Sequence, residues 1–318
     1  IINDALKLGT SNDIGYDYLA DFEKRFELKA RNPISTGWTP VDKLTKGGLG
    51  SGELGVVIAP TGAGKSMVLV HLGAHALLRG KNVVHYTLEL ADTVVAGRYD
   101  SLITGYHLKD LRVFKEQIYD KVKEVPGKLV VKEYPTRSAT VETIKNHLEK
   151  MKNHDFKPDL IIVDYGDLIR PEKFSKDEKR HQLETIYEEL RGISQIYECP
   201  IWTASQTNRS GLNAEVITME SISEAFNKCF VADFIFSVSR TVEDKQTNGG
   251  RIFIAKNRNG PDGLVYPIFM DTSNVKIKVL EKPLSNEDME DVVKNAAKKQ
   301  RDLLTEKYKK FKNKGSKE

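Results

Sequence analysis

The chain reads as an α/β protein, with a mostly parallel central sheet, helices on both faces and antiparallel hairpins at one edge. Three observations predict this. Short apolar runs alternate with helix-patterned stretches through the middle of the 318 residues, and parallel strands need such crossover connections. One run, Leu54 to Ile58, leads directly into Ala59-Pro60-Thr61-Gly62-Ala63-Gly64-Lys65-Ser66 and a helical pattern beginning Met67-Val68-Leu69, the strand, loop and helix of a phosphate-binding turn. Late in the chain, Asn248-Gly249-Gly250 and Pro261-Asp262-Gly263 separate strand-like runs with turn residues, as antiparallel hairpins do.

Taken in order, Tyr16 to Arg31 is patterned as an amphipathic helix with Leu19, Phe22 and Phe26 on one stripe, packed on this domain or docked on a neighbouring subunit. Strands are expected at Leu54–Ile58, Val83–Leu88, Lys128–Lys132, Leu160–Val163, Ile201–Ala204, Phe234–Val238, Arg251–Ala255 and Val265–Phe269. A helix from Glu178 to Glu198 places Leu183, Ile186, Tyr187, Leu190, Ile193 and Tyr197 on one face, which makes them core. His71 and His75 stand at i, i+4 after the loop without an acidic companion, and read as packing residues rather than metal ligands. The expected division is a linker or docking segment over 1–31, the main domain over 32–284 and a basic helical tail over 285–318.

Composition is that of an ordinary globular chain, 39% apolar and 30% charged. No apolar run approaches the roughly 18 residues of a membrane span, so no membrane partner is expected. The first residue is Ile1, no signal-peptide pattern follows, and a fragment or processed product is expected. Cys199 and Cys229 lack metal-type spacing, which fits a reducing cytosol. The net charge of +4 is uneven: from Asp291 on there are ten Lys/Arg and four Asp/Glu, a surplus of six, leaving about −2 upstream. That tail reads as a fraying, solvated helix, with a nucleic-acid-contacting arm as the alternative.

The loop chemistry is specific. Gly62 and Gly64 let successive N–H groups curl around a phosphate, the amides of Lys65 and Ser66 open a helix whose N-terminus favours anions, the Lys65 ammonium reaches the β/γ-phosphates and the Ser66 hydroxyl can hold Mg²⁺. This predicts a nucleoside triphosphate site, although Ala59 stands where the general motif has glycine. Leu160-Ile161-Ile162-Val163-Asp164 is an apolar strand delivering a carboxylate to the ligand-binding edge, where Asp164 can orient Mg²⁺ through water. Glu89 closes a strand expected next to the loop strand; it is a candidate to polarise the attacking water, or a solvated surface glutamate. Gln206 ends another strand at that edge and is a candidate γ-phosphate sensor, or a loop-capping glutamine. Lys256 and Arg258, one residue apart on a late strand, project from one face; they are candidate arginine-finger cations, or an exposed basic strand.

Together these residues resemble the RecA-like ATPase domain of DnaB-type replicative helicases, over about Pro33 to Phe269. The resemblance rests on Ile34-Ser35-Thr36-Gly37-Trp38, the loop itself with its family-typical Ala59, Thr87-Leu88-Glu89-Leu90, Ile161-Ile162-Val163-Asp164-Tyr165, Ala204 to Arg209 and, most discriminating, Lys256-Asn257-Arg258-Asn259-Gly260-Pro261-Asp262-Gly263. Ile14 to Tyr18 and Ser223 to Phe226 look most like the bacteriophage-encoded branch.

The resemblance implies a hexameric ring that hydrolyses ATP with Mg²⁺, translocates on single-stranded DNA and unwinds duplex at a replication fork, in the cytoplasm of a host cell if phage-encoded. It assigns Ala59 to Ser66 to the nucleotide, Ser66 and Asp164 to the metal, Glu89 as base, Gln206 as γ-phosphate reader, and Lys256 and Arg258 to the adjoining subunit's nucleotide. DNA-tracking loops fall near 170–180 and 209–228, with Arg209 and Lys228 as candidate contacts; Ser223-Glu224 stands where the bacterial pattern has Arg-Glu. Primase and a helicase loader are implied partners, and the family's separate N-terminal domain is not in this sequence. The competing readings are a RecA/RadA-type strand-exchange ATPase, which the short first loop disfavours, and a KaiC-like signalling ATPase; the Lys256–Gly263 motif favours the helicase.

Overall fold

The computed structural model describes residues 15–23, 31–172, 179–207 and 229–285. The chain divides into two compact units, Ile1–Asn32 and Pro33–Glu318. In the first, residues 15–23 form turns rather than the expected α-helix. Asp17 accepts the amides of Leu19 and Ala20 at 2.9 and 2.7 Å, while Tyr18, Leu19 and Phe22 are exposed. With Leu19 and Phe22 exposed, the described part of the stripe supplies no burial to hold a helix; residues 24–30 of the expected helix lie outside the described residues. Phe26 and the basic tail lie outside the described residues.

Among its described residues the second unit has nine strands: β1 (Leu54–Ala59), β2 (Val83–Thr87), β3 (Leu129–Glu133), β4 (Leu160–Asp164), β5 (Ile201–Gln206), β6 (Phe234–Ser239), β7 (Gly249–Asn257), β8 (Val265–Asp271) and β9 (Lys276–Val279). Their order is β3-β2-β4-β5-β1-β6-β7-β8-β9. The six strands from β3 to β6 run parallel, and β7, β8 and β9 extend the sheet antiparallel. The eight expected strands are all present; β9 was not anticipated.

Seven α-helices are described: α1 (Thr39–Leu44), α2 (Lys65–Leu78), α3 (Asp92–Thr104), α4 (Lys115–Val122), α5 (Val141–Asn153), α6 (Lys179–Ile196) and α7 (Val242–Gln246). Alternation along the strands feeds two cores, as period-2 side chains require. Val57 and Ala59 of β1, with Leu160 and Ile162 of β4, pack toward α2 and α3. Leu54, Val56 and Ile58, with Ile161 and Val163, pack toward α5 and α6. On α6, Ile186, Tyr187, Leu190 and Ile193 are buried as expected, with Leu183 and Tyr197 packed beside them. His71 is buried in α2, stacked on Trp38 at 4.5 Å; burial holds its pKa well below the usual histidine range, as suits a packing residue.

Two expected placements change. Glu89 follows β2, which is separated from β1 by β4 and β5 rather than adjacent to it, because strand order follows the crossovers and not the sequence. Lys256 lies on β7, and Arg258 just after it; the hairpin extends the sheet antiparallel as expected, but β7 is covered by β8 and the true edge is β9. The turn around Pro261-Asp262-Gly263 does join β7 to β8, whereas β6 and β7 are linked by the short helix α7.

Candidate nucleotide site

The loop between β1 and α2 carries the site. Ala59 is the buried last residue of β1, paired in register with Gln206, and it is not among the positive-φ positions. Glycine is therefore not needed there, which accounts for the departure from the general motif. Gly62 and Gly64 do adopt positive φ, 74° and 107°, a region open to glycine at little cost. A Cβ on Gly64 would also meet Met270 Sδ at 2.8 Å. Ala63 N donates to the Pro60 carbonyl, and α2 starts at Lys65, so the helix's free N–H groups open onto the loop. The Lys65 ammonium donates to the Ala59 and Pro60 carbonyls at 3.3 and 3.4 Å and lies 5.4 Å from the Tyr165 ring centroid.

Asp164 ends β4 at the same edge, fully buried, and neither of its oxygens completes a hydrogen bond of ordinary geometry. Desolvation pushes its pKa up to about 6; Glu89 adds to the rise, and the nearby Ser66 hydroxyl, Arg98 and Lys65 oppose it. Buried, unpartnered carboxylate oxygens are costly and are the donors a hard divalent cation takes. Together with Ser66 they fit Mg²⁺. Glu89 is exposed and close in space: the Leu88 amide donates to the Asp164 carbonyl at 2.8 Å, and the Glu89 charge acts on Asp164, Arg98 and Tyr165.

Gln206 bridges the two halves of the site. Its Nε2 donates to Thr61 Oγ1 at 2.7 Å, its Oε1 accepts from the Tyr165 hydroxyl at 3.3 Å, and its backbone N–H is held by Asp167 at 3.0 Å. A side chain that touches the loop directly is placed to report what the loop holds. Two cations near this edge were not anticipated. Arg98 on α3 is half-buried and feels Asp164 and Glu89. Lys245 on α7 puts its Nζ 3.8 Å from where a Gly62 Cβ would be. A lone cation on a helix carries no motif, so only the fold reveals them.

Lys256 and Arg258 stand elsewhere. Asn257 pairs with Phe234 and Lys256 with Ile235 at the start of β6, which is parallel to β1. They therefore sit at the amino end of β1, about 17 Å from its own loop, since five strand steps rise ~3.3 Å each. The motif around them is a fastener. Asn257 Nδ2 donates to the Leu44 and Pro261 carbonyls, Asn259 Nδ2 reaches Glu53 at 3.2 Å, and a Cβ on Gly260 would lie 2.5 Å from the Leu44 oxygen. The cations alternate with these residues. Lys256 Nζ donates to the Phe230 carbonyl and lies 4.3 Å from that ring centroid, and Arg258 Nη1 is 3.2 Å from Asp233 Oδ1. Arg209 and Lys228 lie outside the described residues, as do nearly all the expected DNA loops.

Residues 33–276 match the family described as the DnaB-like helicase C terminal domain. The chain belongs to that family. It is 30% identical over 257 residues to a DnaB-like replicative helicase of Enterobacteria phage T4, covering 76% of this chain and 54% of that protein. It is 26% identical to the replicative DNA helicase DnaB of Helicobacter pylori (61% and 40% covered) and 25% to that of Geobacillus stearothermophilus (76% and 55%). The chain thus spans about half the length of the curated relatives it matches. Among solved structures, the ATPase domain of G40P superposes with TM-score 0.67 at 16% identity, covering 88% of this chain and 99% of that one. A DnaB-like replicative helicase, studied with its interactions with primase, gives 0.68 at 15% (88% and 71%), and the RadB recombinase 0.52 at 15% (78% and 100%). These likenesses establish a RecA-like fold. RadB shares it, so membership of the helicase family rests on the sequence match.

Proposed function

We propose that this chain is the ATP-hydrolysing motor of a replicative DNA helicase, working as a homo-oligomeric ring, a hexamer in the family's manner, that translocates on single-stranded DNA and opens duplex at a replication fork. The observation that carries the reading is Asp164: a fully buried carboxylate facing the Ser66 hydroxyl under a phosphate-binding loop, with no other described side chain satisfying its oxygens. Ser66 and Asp164 would hold Mg²⁺, which neutralises charge on the β- and γ-phosphates. The loop amides and Lys65 bind the polyphosphate, Glu89 takes the proton of the attacking water, and Gln206 senses the γ-phosphate through its link to Thr61. Lys256 and Arg258 serve the nucleotide of a neighbouring copy, because their own loop is too far away.

The phage T4 relative supports a phage-encoded protein acting in host cytoplasm, and the primase-associated structure makes primase a candidate partner; a loader is a further one. No described helix is long and apolar enough to cross a membrane. The division into 1–31, 32–284 and 285–318 and the Arg209 and Lys228 DNA contacts stay part of the proposal. A forked-DNA unwinding assay with ATP and Mg²⁺, paired with negative-stain imaging, tests it: rings that separate strands support it, and filaments that pair strands favour the strand-exchange alternative.

A further inference from the structure

We propose that Asp233, clamped by Arg191, is the positioning residue that aims Arg258 at the nucleotide of a second copy of this chain; this rests on the reading of Arg258 given above. Asp233 is buried, with its side chain 6% exposed, immediately before β6. Its Oδ2 accepts the Leu54 amide at 3.0 Å and Arg191 Nε at 3.1 Å, and its Oδ1 accepts Arg191 Nη2 at 3.1 Å. Arg191 thus takes both oxygens in the two-pronged geometry of a guanidinium–carboxylate pair. Arg258 Nη1 reaches only Oδ1, at 3.2 Å, and its side chain stays 45% exposed. Its backbone N–H donates to the Asp233 carbonyl at 3.0 Å, so residue 233 holds Arg258 at both backbone and side chain.

The charge count gives this arrangement its direction. One carboxylate faces two guanidiniums, and Lys256 stands close enough for its ammonium to feel Arg258, Asp233 and Arg191. The four groups carry a net charge of about +2, and of the two guanidiniums Arg258 is the more exposed. A surplus of positive charge held on a fixed carboxylate is suited to a polyanion arriving from outside. The nucleotide loop of the same chain lies about 17 Å of strand away, and on the finger reading the polyanion is the triphosphate of a neighbouring copy. Asp233 also bonds to Leu54, the first residue of β1, so the strand that ends in one subunit's loop begins beside the finger offered to the next.

The test uses the full chain with Asp233→Asn, which keeps an oxygen for Leu54 and removes the charge that orients Arg258. Misplacing a reacting group by about 1 Å costs on the order of a hundredfold, so kcat for ATP should fall by about that factor while KM stays unchanged. The decisive readout is mixing. Asp233→Asn combined with Glu89→Gln should recover turnover, because one copy supplies an intact base and the other an intact finger. Combined with Arg258→Ala it should recover none, because both lesions lie on the finger side. Wild-type kcat in Asp233→Asn, a raised KM, or rescue by Arg258→Ala overturns the proposal. If Asp233→Asn does not fold, Arg191→Gln decides: without its clamp Asp233 no longer holds Arg258 at a fixed angle, and kcat should again fall at constant KM. Undiminished turnover there overturns the proposal. Normal hydrolysis by Arg258→Ala itself would instead remove the finger reading on which Asp233 depends.

Discussion

At the carboxyl edge of the sheet, Asp164 is fully buried with neither oxygen in a hydrogen bond of ordinary geometry and two glycines of the loop hold positive φ. At the amino edge, Asp233 accepts three hydrogen bonds and an ion pair, and Asn257 and Asn259 fasten the β7–β8 turn. The two ends of one sheet are thus built on opposite principles. Where a ligand must be taken in, polar groups are left for it to satisfy. At the amino edge the surroundings of Arg258 are saturated while its own side chain stays 45% exposed. On the proposed function the first end is a receiving pole and the second a giving pole, and a defect at one should be separable from a defect at the other.

The largest expected effect lies at the receiving pole. Lys65→Ala removes the cation of the loop and should abolish triphosphate binding, measured with a fluorescent ATP analogue. Glu89→Gln should bind normally and not turn over, since an amide cannot act as base. Hydrolysis at the wild-type rate by Glu89→Gln would remove that residue from the mechanism. At the giving pole, Arg258→Ala should bind nucleotide normally yet hydrolyse about 10³–10⁵-fold more slowly. Mixing it with Glu89→Gln should restore part of the activity, at interfaces where intact Glu89 meets intact Arg258. If mixed rings form and no ratio rescues turnover, the two poles do not meet across subunits.

The receiving pole was largely legible in the sequence, because its geometry is made by a contiguous loop and by strand ends that parallel topology gathers at one edge. The continuous apolar runs of β1, β4 and β5 announced themselves, and so did Asp164 and Gln206 at the ends of the latter two. What escaped was set by distant parts of the chain. That β4 and β5 lie between β2 and β1 depends on crossovers. β9 is only Lys276-Ile277-Lys278-Val279, too short an alternation to stand out, although its Ile277 carbonyl receives the Trp38 indole at 3.2 Å. Arg98, Lys245 and Asp233 are single charged residues whose meaning appears only when the fold brings partners to them. At the giving pole the Lys256–Gly263 motif was visible, but not the reason for its asparagines and glycine.

That reason leads to a prediction of intermediate size. Gly260 permits an approach to the Leu44 carbonyl that a Cβ would obstruct at 2.5 Å. Gly260→Ala should force the β7–β8 turn off α1 at a cost of about 1–3 kcal/mol, a fall in melting temperature of roughly 2–10 °C for a domain of this size. Nucleotide binding should survive, and turnover should drop as Arg258 shifts with the turn. A variant that loses binding instead would show that the fastener supports the receiving pole, and the separation of the two poles would fail.

The smallest effect is expected at Lys245, which belongs to the receiving pole although it comes from the antiparallel side of the sheet. The helix α7 that carries it is fixed by a capping box between Thr241 and Asp244, and Asp244 is tied to Arg251 at 3.1 Å, so the ammonium is delivered to Gly62 from a rigid support. Being exposed, it acts through solvent, and an exposed ion pair is worth at most about 1 kcal/mol, roughly fivefold in affinity. Lys245→Ala should therefore weaken triphosphate binding by about fivefold or less, and the loss should shrink as salt is raised, because exposed charges are screened. Lys245→Glu should weaken binding further by reversing the sign. In mixing experiments Lys245→Ala should still serve as a finger donor to an intact neighbour, unlike Arg258→Ala. A Lys245→Ala protein with unaltered affinity at low salt, or one that fails as a donor, would move Lys245 out of the receiving pole.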